Sequence, residues 1–225
     1  MKSIGLYLLA ASFFALPLQA QLTKPEATST EQLMNSVQER NEHRAQSILH
    51  SYPIRNVGPV TMSGRVSDIA VHPDTARIFY VGFGSAGIFK TTNGGATMQP
   101  VFDNQGGAMG IGDIAISNSN PNILWAGTGE NNSSRSTYAG TGVYKTTDAG
   151  NTWTLMGLEG TQHIGRIIIH PENPDVVWVG SMGALYSQNE DRGIYLTTDG
   201  GQTWKKTLFV NALKLIGKKL KKLNG

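Results

Sequence analysis

Two stretches of this 225-residue chain concentrate the residue types that grip or cleave polar ligands. GTGENNSSRSTYAGTG (127–142) carries Glu130, Asn131, Asn132, Arg135 and Tyr138, and GSMGALYSQNEDRG (180–193) carries Tyr186, Glu190, Asp191 and Arg192. Carboxylates, amides and aromatic rings on loops suit the recognition of a sugar or a peptide. Hydrolysis of a glycosidic bond needs two carboxylates across a cleft, so Glu130 and Asp113 are the catalytic candidates, with Asp191 a third carboxylate. No spacing singles out a pair. For each loop residue a plain solvated role stands beside the binding role. Arg65, Asp68, Asp113 and Arg166 recur near the starts of similar segments, where mutual ion pairing is the preferred reading over ligand contact. No metal site is indicated: His72 and His170 share a turn position (HPD and HPE), and His163 stands alone. No cofactor is expected.

What must position these residues is a repeat. RVSDIAVHPDTARIFYVGFG is followed by GIFKTTNGGATMQPVF, GIGDIAISNSNPNILWAGTG by GVYKTTDAGNTWTLM, and IGRIIIHPENPDVVWVGS by GIYLTTDGGQTWKKTL. Each copy reads as four short strands: an apolar strand with Ile69, Ile114 or Ile167 in register, a polar turn, a second strand, a loop of variable length, a third strand, a tight turn and a fourth. Four antiparallel strands per repeat make the blade of a β-propeller. A β-sandwich has such strands but gives no reason for three matched copies in a row. The fold class is therefore all-β, with about three blades at 64–102, 110–157 and 163–210, too few for a closed ring. Alternating strand direction puts the two ligand-type loops on one face and the tight turns on the other.

The tight turns share one spelling, TTNGGATM (91–98), TTDAGNTW (146–153) and TTDGGQTW (197–204). Asn93, Asp148 and Asp199 can fold their side chains back onto backbone N–H groups further along. Gly95, Gly150 and Gly201 supply a left-handed backbone. Met98, Trp153 and Trp204 serve as apolar plugs. That Asn and Met stand in for Asp and Trp favours a fold device over a reactive group.

These octets resemble Asp-box (BNR) repeats, found in sialidases, xyloglucanase-type glycoside hydrolases and Vps10/sortilin domains. NVGPVTMSGRVSDIAVHP (56–73) and GTGENNSSRS (127–136) also resemble the start of secreted bacterial sortilin-like or BNR-repeat glycosyl hydrolase-like propellers. The resemblance spans about residues 52–210. It implies a propeller whose Asp-boxes are structural and whose ligand face lies opposite, and it is specific for fold rather than activity. A sialidase needs an arginine triad, and no motif assigns Arg65, Arg135 and Arg166 to one. The expectation is an exported, non-catalytic module that binds an extracellular glycan or protein, a truncated sortilin-like protein. The alternative is a remnant of a glycoside hydrolase.

Composition bounds the partners. Residues 1–20 (MKSIGLYLLAASFFALPLQA) read as a secretory signal peptide cleaved after Ala20, which places the protein in the periplasm, the cell envelope or the medium. The chain has no cysteine, so core and hydrogen bonds must hold the exported fold. Residues 211–225 hold five lysines and no acid, and the leader holds Lys2, so a formal charge of +3 becomes −3 for residues 21–210. That mildly acidic body speaks against nucleic-acid binding. Residues 21–50 are polar and helical in tone, with Ser29 and Gln32 spaced as a capping box. In the tail, Leu213, Ile216, Leu220 and Leu223 fall on one helical face between lysines. It departs from the repeat pattern, as a truncated or frame-shifted end would, or it is a basic helix for a membrane surface.

Overall fold

The computed structural model describes residues 28–52, 64–105, 107–133, 137–187 and 189–209. The signal-peptide and tail expectations lie outside these residues. Among the described residues, twelve strands form three four-stranded antiparallel sheets in which sequence neighbours pair. Blade 1 comprises β1 (Val66–Val71), β2 (Phe79–Phe83), β3 (Gly87–Thr91) and β4 (Gln99–Pro100). Blade 2 comprises β5 (Ile111–Ile116), β6 (Leu124–Thr128), β7 (Val143–Thr146) and β8 (Thr154–Leu155). Blade 3 comprises β9 (Ile164–Ile169), β10 (Val177–Ser181), β11 (Gly193–Thr197) and β12 (Lys205–Phe209). The inner strand β5 packs between β1 and β9, so the described blades form an arc of a β-propeller.

The core lies between blades. Tyr80, Ile88 and Phe102 of blade 1 pack on Ile111, Ile114, Leu124, Tyr144 and Trp153 of blade 2. Trp125 and Val143 of blade 2 pack on Ile164, Ile167, Val177 and Val179 of blade 3. Glycine makes this approach possible. A Cβ on Gly82 would stand 2.8 Å from both Ile111 Cγ2 and Ile114 Cδ1, and a Cβ on Gly127 would run into the Ile164 side chain. Ile111, Ile114 and Ile164 thus seat on a glycine of the preceding blade.

The octets are closed hydrogen-bonded turns. Asp148 Oδ1 accepts from Thr146 Oγ1 (2.7 Å) and Thr152 N (2.8 Å), and Oδ2 accepts from Thr152 Oγ1 (2.6 Å). Those donors, the Thr152 hydroxyl foremost, hold the Asp148 carboxyl down to about 2. Asp199 repeats the pattern with Thr197 and Thr203. Asn93 reproduces it: Oδ1 accepts from Thr97 N (2.9 Å), and Nδ2 donates to Thr97 Oγ1 (2.9 Å). Gly150 and Gly201 have φ of 90° and 95°, the left-handed region this turn requires.

The octet also reaches backwards across the junction. Trp153 Nε1 donates to Val101 O in blade 1 (2.9 Å), and Trp204 Nε1 donates to Met156 O in blade 2 (2.6 Å). Ala149 O accepts from Tyr80 Oη (2.9 Å) and Lys90 Nζ (2.8 Å) of blade 1. The turn that ends one blade is therefore the clasp that holds it to the blade before.

Helix α1 (Thr30–Gln46) starts in a formed capping box, with Gln32 N donating to Ser29 Oγ and Ser29 N donating to Gln32 Oε1, both 3.2 Å. It buries no residue. Arg40 Nη2 donates to Gly107 O (2.9 Å), Arg44 Nη2 donates to Asn104 Oδ1 (3.1 Å), and Thr28 O accepts from Gln162 Nε2 (3.2 Å). Polar contacts to the connections between blades thus hold the helix against the propeller.

Trp153→Ala removes a buried ring and its cross-blade hydrogen bond. The expected loss is about 3–5 kcal/mol in a denaturant titration. Asp148→Asn, which restores the turn of the first octet, is expected to lose much less.

Candidate functional site

The loops between the second and third strands share a face with the connections between blades. Gly87 N donates to Met109 O (2.8 Å), Gly129 N to Gly110 O (2.7 Å), and Met182 N to His163 O (2.8 Å). The octets lie at the other end, each tied to the first turn of its own blade: Gly94 N donates to Arg77 O, Ala149 N to Asn122 O, and Gly200 N to Asp175 O. His72 and His170 belong to those first turns, where their Nδ1 atoms accept from Asp74 N and from Glu172 N and Asn173 N.

On the loop face the two carboxylates nominated for catalysis sit in separate ion pairs. Glu130 is fully buried, and its two oxygens accept from Arg65 Nε (2.6 Å) and Nη2 (2.7 Å). This two-pronged bond runs from blade 2 to the lead of blade 1, and the Glu130 side chain presses against Gly84 of that blade. The Glu130 carbonyl accepts from His163 Nδ1 (2.8 Å), so that nitrogen carries the proton. Burial lowers the His163 pKa. One glutamate therefore joins all three blades.

Asp113 is buried on the inner strand of blade 2. Its Oδ2 accepts from Ile167 N (2.7 Å), and its Oδ1 lies 3.4 Å from Arg166 Nη1. Burial raises its pKa to about 6, despite the Ile167 amide. Asp68 makes the equivalent bond one junction earlier, accepting from Ile114 N (3.0 Å). The four inner-strand groups expected to pair with one another divide differently. Asp113 pairs with Arg166, Asp68 bonds to backbone, and Arg65 turns to Glu130. The recurrence of charged residues at the starts of the inner strands was legible in the sequence, but their cross-blade backbone partners were not.

The remaining candidates line the two long loops. Asn131 Nδ2 donates to Gly112 O (3.1 Å). Tyr186 Oη lies 3.0 Å from Ser133 Oγ and 3.4 Å from Thr137 Oγ1, joining the loops of blades 2 and 3. Tyr138 and Tyr186 expose 52% and 56% of their surfaces. Glu190 is exposed, and its carbonyl accepts from Lys206 Nζ. Asp191 is half-buried beside Gly160, and its carbonyl accepts from Tyr195 Oη (3.0 Å). Arg192 donates to Met182 O and Ala184 O of its own loop (2.8 and 2.9 Å). Arg135 lies outside the described residues. Among the described residues, no three His, Asp or Glu side chains come together to hold a metal ion. His163 is the participant that sequence reasoning passed over, because a lone histidine carries no spacing signal.

No protein-family model matches this chain. The xyloglucanase of Hypocrea jecorina (strain QM6a) is 32% identical over 148 residues, which cover 63% of this chain and 15% of that enzyme. The chain thus spans a small part of the curated relative it matches. Among solved structures, an ancestral GH74 enzyme superposes with a TM-score of 0.51 at 19% identity, over 65% of this chain and 18% of its own. The GH74 enzyme of Niastella koreensis gives 0.50 at 23% identity, over 62% and 22%. These likenesses show the β-propeller fold.

Arg65→Ala leaves Glu130 buried without its partner and should cost about 3 kcal/mol of unfolding free energy. Glu130→Gln keeps an acceptor for Arg65 and should cost less; the opposite order would show that solvent reaches Glu130. For Asp113 the folded pKa lies above the ordinary carboxyl value of about 3.9, so its contribution is full below that value and is lost as pH rises through 6. His163 acts in the opposite sense, losing stability as pH falls through its ordinary value of about 6.5. Comparison with Asp113→Asn isolates the first effect. Relative to that variant, the wild-type denaturation midpoint should fall as pH rises from about 4 to about 6.

Proposed function

We propose that this chain is an exported, non-catalytic β-propeller module, part of a sortilin-like or BNR-repeat protein, whose loop face binds an extracellular glycan or protein. The observation that carries the reading is the pair of exposed rings, Tyr138 and Tyr186, on loops of adjacent blades bridged by the Tyr186 hydroxyl. Exposed aromatic faces on a rigid scaffold suit a sugar ring, and Asn131 and Glu190 stand on the same loops. The engagement of both oxygens of Glu130 by Arg65 supports binding over hydrolysis.

The second reading, a glycoside hydrolase remnant, is favoured by the 32% identity to a xyloglucanase and by the raised pKa of Asp113, a property of general acids. Incubation with xyloglucan separates the two. The binding module should retain the polysaccharide in affinity electrophoresis without releasing reducing sugar, and Tyr138→Ala or Tyr186→Ala should weaken retention by about tenfold. Sugar release that disappears in Asp113→Asn would establish the hydrolase instead. A chain that neither retains xyloglucan nor releases sugar would leave the protein ligand as the next one to test.

A further inference from the structure

The first octet differs from the other two at its hinge. Asn93 stands where Asp148 and Asp199 stand, and Gly94 follows it. An Asn–Gly step is where a peptide chain most readily modifies itself, because glycine has no Cβ to shield its own amide nitrogen. That nitrogen attacks the side-chain amide carbon, a five-membered succinimide forms, and ammonia leaves. Water then opens the ring to Asp or to isoaspartate. An ionised Asp has no comparable leaving group. Donors around Asp148 and Asp199, the Thr152 and Thr203 hydroxyls foremost, hold both carboxyls below their ordinary value and so keep them ionised. Of the three octets, the first therefore carries the reactive side chain.

The fold acts on both partners of this reaction. Asn93 Oδ1 accepts from Thr97 N (2.9 Å) and from Thr91 Oγ1 (3.0 Å). Two donors on that oxygen stabilise the charge it takes up when Cγ is attacked. The attacking atom is engaged elsewhere: Gly94 N donates to Arg77 O (2.9 Å), the bond that ties the octet to the first turn of its blade. The carbon is primed, and the nucleophile is withheld until that bond opens locally.

The same donors choose the product. Water attacking Cγ restores the main chain and leaves Asp. Water attacking the main-chain carbon leaves isoaspartate, which lengthens the turn by one carbon where Gly95 N donates to Thr91 Oγ1 (2.9 Å). Donors on Oδ1 polarise Cγ and favour the first route. A carboxylate at position 93 also fits. Thr91 Oγ1 and Thr97 N already point at it, and the Thr97 hydroxyl, which now accepts from Asn93 Nδ2 (2.9 Å), has only to turn and donate. That set is the one Asp148 and Asp199 receive.

From these features we infer that Asn93–Gly94 is a self-modification site, at which the folded chain slowly converts its Asn octet into an Asp octet without an enzyme. In the first step a bond forms between Asn93 Cγ and Gly94 N, and the Cγ–Nδ2 bond breaks. The Gly94 amide proton passes through water to the departing nitrogen, which leaves as ammonia. In the second step water adds its hydroxyl to Cγ, the bond from Cγ to Gly94 N breaks, and that nitrogen takes the other proton. The carboxyl left at position 93 then ionises. The inference is independent of the ligand assigned to the loop face.

The test is incubation of the full chain in mildly alkaline buffer made with oxygen-18 water, folded or unfolded in urea. Digestion and fragment mass spectrometry then read residue 93 separately from the second Asn–Gly step at 224–225. Labelled product should form in both samples, between about tenfold and a hundredfold more slowly in the folded one. Asp should exceed isoaspartate in the folded chain, and isoaspartate should exceed Asp in the unfolded chain. Asn93→Asp, the product made directly, should melt no lower than the wild type. Equal rates in the two samples overturn the proposal, as does an excess of isoaspartate from the folded chain. No folded conversion over about a hundred half-lives of the unfolded reaction also overturns it. A lower melting temperature for Asn93→Asp overturns the fit of the product to the octet.

Discussion

The absence of a side chain at one place in each blade sets the spacing of the rest. Gly82 and Gly127 let the inner strand of the next blade come close enough for its isoleucines to touch backbone. At that distance an inner-strand carboxylate reaches an amide one blade on, as Asp68 and Asp113 do with Ile114 and Ile167. The indole nitrogens of Trp153 and Trp204 then meet carbonyls of the preceding blade. A methyl group at either glycine would move all three contacts together. The core is accordingly a series of seams between sheets rather than one central mass.

The pattern of strands and turns was readable because it is local. Alternating apolar residues, the Gly and Asp of the octet, and the Ser29–Gln32 cap each act within a few positions of themselves. Three copies in register gave the blades. Partners between blades were less readable, since they join positions some fifty residues apart that no short-range rule relates. Trp153 reads as a plug from its size alone; that its nitrogen bonds to Val101 O depends on how two sheets stack. Asp68 and Asp113 read as partners for arginines, yet their closest donors are backbone amides, which the sequence does not distinguish. The recurrence of Gly at 82, 127 and 180 was on view in the repeats, but its meaning as a seat needed the neighbouring blade.

On the loop face, residues of ligand-binding type meet structural needs. Glu130 is the most conspicuous acid of its loop, and it is fully buried between an arginine of one blade and a histidine of another. Tyr138 on the same loop and Tyr186 on the loop of the next blade stay exposed.

The clasp formed by the octet reaches one blade back and no further. Lys145 Nζ meets Gly200 O of the next blade much as Lys90 Nζ meets Ala149 O one junction earlier. A unit of this kind carries both halves of its own joint. Gene duplication that adds a blade, or recombination that deletes one, therefore leaves matched surfaces on either side of the change. Copy number can drift over evolutionary time while the wall of each joint stays the same, and selection then acts on how well the ring closes rather than on any single blade.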